Sequence, residues 1–280
     1  MYRFVGKISL LVVVMFALVL PDPSRAQDNL TLGLGFDYER GDYGGDSDIS
    51  TYTIPLSVFW YPDERFDLIL TIPYVYQSGG IGSAISGNRR APVPAKVKDI
   101  KKLPDVTNGE TDTQTHVQEK SRSGLGDITL EVGYSLLFES VRRPLTRLIL
   151  YGKIPTADDD RGLGTGAFDF GIGTGLGKRI EEWSVYVEAM YIKPGDSQKY
   201  RTEDYFSFSA TVARLFGEFI SAGTSISLAT DGFNGNDIWE IAGNLTWRIS
   251  PRIDFQGYLI KGLSEGAADT GGGLSTLFSF

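Results

Sequence analysis

The sequence predicts an all-β fold: a transmembrane antiparallel up-and-down β-barrel of about 12 strands, following a cleaved signal peptide. Three observations predict it. Apolar and polar residues alternate in successive segments of roughly 10 residues, the length a tilted membrane strand needs. The links between these segments are alternately short and long, and the chain ends in an aromatic-rich "LFSF". Alternation with period two puts one row of side chains on each face of a strand, so every segment has an apolar face and a polar one.

The first element is the leader "MYRFVGKISLLVVVMFALVLPDPSRAQ". Arg3 and Lys7 precede an apolar run from Ile8 to Leu20, and Ser24-Arg25-Ala26 supplies a small-x-small site. This is the order of a secretory signal, which predicts a signal peptide over 1–26 and the barrel over 27–280. The run is shorter than the ~20 residues of a spanning helix. With 0 Cys there is neither a lipid-anchor cysteine nor a disulfide framework. The formal charge of −8, with no basic stripe gathered on a folded element, excludes nucleic acid as a partner.

The strands follow in order. Leu30, Leu32, Leu34, Phe36 and Tyr38 alternate with Thr31, Gly33, Gly35, Asp37 and Glu39. The next rows are Tyr52 to Trp60, Phe66 to Tyr76, and Ile128 to Phe138. Further strands are expected near 145–155, 167–178, 183–193, 204–215, 218–229, 238–249, 252–262 and 270–280. Short links fall at 61–65, 139–144, 178–182, near Gly217 and at 250–252; longer ones at 40–49, 77–123, 156–166, 194–203, 231–237 and 263–269. Short turns on one side, long loops on the other and an even strand number are the pattern of an outer-membrane barrel with both termini in the periplasm. A soluble sandwich would also alternate, but it would not set Tyr38, Trp60, Phe66, Tyr76, Trp183 and Trp247 at strand ends within the apolar rows.

The stretch "GLGTGAFDFGIGTGLGK" (162–178) tests a nucleotide-binding alternative. A Walker loop ending at Gly177-Lys178 would need Gly at Ile172 and Ser or Thr at Arg179. The strictly alternating Gly171, Gly173, Gly175 and Gly177 are instead one face of a strand. They are expected to face the lumen opposite Ser184, Tyr186, Glu188 and Met190, leaving room for Tyr186 and Met190 to lean across the interior.

Inward positions carry both signs of charge: Asp37, Glu39, Glu131, Arg147, Lys153, Asp169, Glu188, Glu240, Arg248 and Asp254. Hairpin register is expected to bring Glu131 near Lys153 and Arg248 near Asp254, and opposed charges of this kind read first as ion pairs that hold the wall. The candidate lumen-lining residues are Glu131, Tyr151, Lys153, Asp169, Tyr186, Glu188, Glu240, Asn244 and Tyr258. The 77–123 link is read as a long extracellular loop, mobile or with its Gly/Ser/Ile-containing start folded inward as a constriction. Its Arg89, Arg90, Lys96 and Lys98 suit an anionic outer surface. The single histidine, His116, lies in that loop, so no positioned imidazole is on offer for a hydrolase site. "TADDDRG" clusters carboxylates without a diagnostic ligand spacing and reads as a solvated loop. No catalytic residue, metal or cofactor is expected.

Three segments carry a family resemblance: "GLGDITLEVGYSLL" (124–137), "LYGKIPTADDDRGLGTGAFDFGIG" (150–173) and "WSVYVEAMY" (183–191). Together they resemble the meta-pathway phenol-degradation family of outer-membrane barrels. The resemblance implies a channel or transporter in the bacterial outer membrane for passive uptake of small molecules, aromatic or hydrophobic ones among them. Phe278 and Phe280 share one face of the last strand and resemble the signal read by the barrel-assembly machinery, with Ser275 where a Gly is usual. The partners expected are therefore membrane lipid and lipopolysaccharide, a small-molecule solute and that machinery through Phe280. A plugged barrel with a structural or adhesive role is the alternative, and an outer-membrane enzyme comes after it.

Overall fold

The computed structural model describes residues 29–43, 48–78, 121–197, 202–230 and 237–280. The expected signal peptide and nearly all of the 77–123 link, His116 included, lie outside the described residues. The strands are β1 (Leu30–Gly41), β2 (Ile49–Trp60), β3 (Phe66–Ser78), β4 (Arg122–Leu125), β5 (Ile128–Leu137), β6 (Leu145–Ile154), β7 (Asp169–Ile180), β8 (Trp183–Lys193), β9 (Tyr205–Phe216), β10 (Ile220–Ala229), β11 (Ile238–Ser250), β12 (Ile253–Gly262) and β13 (Thr270–Ser279). All pair antiparallel in one sheet, and the β1–β13 and β2–β3 ladders close it into a ring.

The wall has twelve strands because β4 and β5 together form one of them. β5 pairs with the lower part of β3 and β4 with its upper part, and the chain breaks step at Gly126-Asp127. At the break the Gly126 N–H still donates to the Pro73 carbonyl at 2.8 Å. A Cβ at Gly126 would come 2.9 Å from Pro73 Cγ, so the close approach requires glycine. The sequence reading, which ran the loop to 123 and began the strand at 128, is corrected here. "RSGL" is too short and too weakly alternating to announce a strand, yet it pairs because β3 extends beyond its apolar row to Ser78.

Outward rows are apolar and exposed, among them Phe36, Phe170, Ile172, Phe206, Leu259 and Leu274. In water so much apolar surface would drive association; around a closed barrel it is the lipid-facing belt. Aromatics gather at its edges. Tyr38, Tyr52 and Tyr76 stack at the long-loop end with ring centroids 5.0 and 5.9 Å apart, while Trp60, Trp183 and Trp247 stand at the short-turn end.

The β7–β8 turn is tighter than expected, while the 61–65 link falls as expected. β7 continues to Ile180, leaving Glu181-Glu182 as the turn, with Glu181 at φ 53°. Next to it, Glu139 accepts the Arg179 N–H at 2.8 Å and lies 3.3 Å from Lys178 Nζ. That hydrogen bond first, and the ammonium second, hold the Glu139 carboxyl below its ordinary range.

Candidate functional site

The functional surface of a barrel is its inner face, and here glycines shape it. On β7, Gly171, Gly173, Gly175 and Gly177 point inward while Phe170, Ile172 and Leu176 point out. Gly173, Gly175 and Gly177 stand opposite Met190, Glu188 and Tyr186, three of the four residues expected across from the glycines, each displaced by two positions from the register of a turn at 179–182. Gly171 faces Ile192, and Ser184 faces Arg179, because the turn is two residues shorter than the sequence suggested. A Cβ at Gly175 would overlap the Tyr186 hydroxyl, and one at Gly173 would come 2.5 Å from Met190 Cγ. The row of missing side chains is the floor on which Tyr186 and Met190 lie.

The same device recurs with polar partners. Arg147 on β6 crosses over Gly133 of β5 to reach Asp67 on β3, with Nε donating to Oδ1 at 2.9 Å and Nη2 also paired with that carboxylate. Nη2 further meets Glu131 Oε1 at 3.0 Å. A Cβ on Gly133 would overlap both the guanidinium and the Asp67 carboxylate. Across the barrel, Tyr258 on β12 donates to Asp37 on β1 at 2.5 Å over Gly273 of β13. On β8 the Tyr186 hydroxyl donates to Glu188 at 3.1 Å.

The expected Glu131–Lys153 proximity is corrected. A register shift between Ser135 and Leu137 places Glu131 opposite Tyr151 and Thr129 opposite Lys153. Glu131 therefore pairs with Arg147, and Lys153 turns to the long-loop end. There its ammonium, 1% exposed, lies 2.8 Å from Asp169, 3.3 Å from Asp127 and donates to Thr165 at 2.7 Å. Arg248 and Asp254 do meet, at 3.2 Å, on the exposed short-turn rim.

Thr165 belongs to the β6–β7 segment (155–168), which folds inward over this cluster. Leu163, buried with Val75 and Ala157, is its apolar foot. Asp127 accepts the Ala157 N–H at 3.1 Å, Ser197 donates to the Thr165 carbonyl at 2.7 Å, and Arg122 donates to the Arg161 carbonyl at 3.1 Å. Gly162 and Gly166 take φ of 67° and 69°, conformations that make glycine the residue for these bends. Asp158, Asp159 and Asp160 place carboxylate oxygens within 4.8 Å of one another on the same segment, Asp158 and Asp160 being exposed. In the β1–β2 loop, burial pushes the inward-turned Tyr43 phenol well above its ordinary range, with Glu39 adding to the shift.

The nine predicted lining residues thus separate into groups. Glu131, Tyr186 and Glu188 belong to the polar girdle around Arg147. Lys153 and Asp169 anchor the infolded segment. Tyr151 packs in a buried apolar cluster with Ile149, Met190, Ile192, Tyr205 and Ala229. Glu240, 3.5 Å from Ser227 Oγ, Asn244, donating to Ser225 at 3.1 Å, and Tyr258 face the opposite side of the lumen. Sequence reasoning missed Asp67, Asp127 and Thr165. The signal for Asp67 was present: a carboxylate between Phe66 and Leu68, in register with the inward row of an otherwise apolar strand.

Residues 46–280 match the family described as "Putative MetA-pathway of phenol degradation". No curated protein sequence matches the chain. Among solved structures, an outer-membrane channel from Pseudomonas putida F1 is similar with a TM-score of 0.63 at 13% identity, covering 93% of this chain and 100% of that one. The β-domain of the Bordetella autotransporter BrkA gives 0.53 at 8% identity, covering 90% of this chain and 99% of the other. The KdgM porin gives 0.50 at 7% identity, with 89% and 99% covered. At these identities the likeness is one of fold, that of a closed outer-membrane β-barrel.

Proposed function

The chain belongs to this phenol-degradation family of outer-membrane barrels, and from that premise we propose that it is a channel through which small molecules diffuse passively across the outer membrane. One observation carries the reading: the wall is apolar outside and dressed inside with carboxylates, hydroxyls and tyrosines, the inversion expected of a barrel with a wet lumen. The family's description favours aromatic or hydrophobic solutes, and the inward Tyr186 and Tyr258 offer ring faces to them. Phe278 on the lipid-facing row and the C-terminal Phe280, whose N–H donates to the Leu30 carbonyl at 2.9 Å, are the residues we assign to recognition by the assembly machinery. Lipopolysaccharide is the surface we assign to the long-loop end.

The test is ion conductance of the folded protein in a planar bilayer, with and without phenol. Steady current that phenol reduces is the expected result. The infolded 155–168 segment favours a second reading, a barrel plugged at its outer mouth. Silence from protein whose folding is verified by a heat-sensitive gel shift would select that reading and overturn the channel.

A further inference from the structure

The inner wall is not equally open around its circumference. On the β2–β8 side most inward side chains from the middle of the wall to the long-loop end are buried: Thr53, Ile149 and Ile192 are 0% exposed and Glu131 and Glu188 are 4%, while towards the short turns Ser57, Asp67, Ile69 and Ser184 are not. The Arg147 girdle, the apolar cluster around Ile149 and the infolded segment fill that half. On the β9–β12 side the inward rows are partly exposed through the middle of the wall, with Tyr205, Ala229, Ala242 and Ile260 buried towards the long-loop end. At mid-wall on β9 and β10 these residues are small and hydroxylated. Ser209 stands opposite Ser227 and Thr211 opposite Ser225 across the β9–β10 ladder, and Asn244 continues the polar row onto β11.

We propose, building on the channel reading above, that solutes cross along this eccentric hydroxyl lane on β9–β11, and that it admits neutral hydrogen-bonding or cationic solutes while rejecting anions. The carboxylate on the lane itself is Glu240; Glu188 stands opposite Ser209 at its β8 edge, and Asp37 and Glu39 lie beyond β12 and β13 on β1. Among the described residues the inward rows of β9 to β13 carry one cation, Arg248, and it is engaged by Asp254 at the rim. A lane of hydroxyls gives a solute hydroxyl both donors and acceptors, whereas a carboxylate or phenolate solute meets carboxylates of its own sign. The solute class is therefore an uncharged phenol or similar hydroxylated molecule in preference to its anion.

The chain has 0 Cys, so single cysteines report directly. Ser225→Cys samples the lane and Thr53→Cys the closed half. Folded full-length protein in liposomes is treated with a cationic or an anionic methanethiosulfonate, followed by mass shift and, separately, by current in a bilayer. We expect Ser225→Cys to label and lose current while Thr53→Cys stays unlabelled. Relative to their rates with a small free thiol, we expect the cationic reagent to be favoured by on the order of tenfold, a preference that Glu240→Gln reduces. Equal labelling of both cysteines, protection of Ser225→Cys in a conducting barrel, or a relative preference for the anionic reagent would overturn the lane and leave the channel standing. Labelling of Ser225→Cys in a barrel that passes no current would instead overturn the channel reading.

Discussion

Replacing Lys153 with Met will destabilise the barrel by about 3–5 kcal/mol, the cost of leaving buried carboxylates without their counter-charge. The side chains of Lys153, Asp127 and Asp169 are 1%, 1% and 8% exposed, so water cannot take over the role of the ammonium. The loss will appear as a lower urea midpoint in detergent micelles. A triple variant, Lys153→Met with Asp127→Asn and Asp169→Asn, will recover most of it, because removing all the charges together removes the desolvation cost as well. If the single variant unfolds with the parent protein, the cluster contributes nothing net and the 155–168 segment is held by Leu163 and its backbone bonds instead.

The second large effect is steric. Gly133→Val will cost about 2–4 kcal/mol, through overpacking and displacement of Arg147 from its carboxylates. The guanidinium is pinned at Asp67 and Glu131, so it cannot swing aside without breaking the girdle. Gly152→Ala on β6 is the matched control. Its Cβ would meet nothing within 4 Å, so stability will stay level or rise by a few tenths of a kcal/mol. Urea midpoints of both variants, read from the heat-sensitive gel mobility, check the pair. A Gly133→Val barrel as stable as the Gly152→Ala one would mean that Arg147 has another resting place.

These effects also show what could be read from the chain alone. The twelve wall strands were legible because lipid imposes a single rule on the outer row: Leu30 to Tyr38 and Phe66 to Tyr76 must be apolar at every second position. The inner face obeys no such rule. Glu131 and Lys153 look like partners in a hairpin, yet one shifted residue near Ser135 re-aims both, and a bulge of that kind leaves no compositional mark. Cross-strand pairs that skip a strand, Arg147 to Asp67 or Tyr258 to Asp37, are invisible to hairpin reasoning. Each nevertheless leaves a trace, an inward glycine on the strand between, and the glycine alternation on β7 was read correctly for the same reason. β4 escaped because "RSGL" has neither the length nor the pattern of a strand and takes its conformation from β3.

The closing seam has a kinetic consequence. Most ladders here join strands that are neighbours in the chain, so they can form as hairpins with little loop-closure entropy to overcome. The β1–β13 ladder is different, for its Thr31 and Ser279 hydroxyls, 3.0 Å apart, come from residues 248 positions apart. Until that pairing is made, the sheet has two open edges with unpaired amides, and an open edge in hydrocarbon is not tolerated. Folding therefore commits late, at the one strand pairing of very high sequence separation among the described strands, and each half-assembled sheet must be shielded until then. Loss of the last strand would leave a permanently open ribbon rather than a smaller barrel.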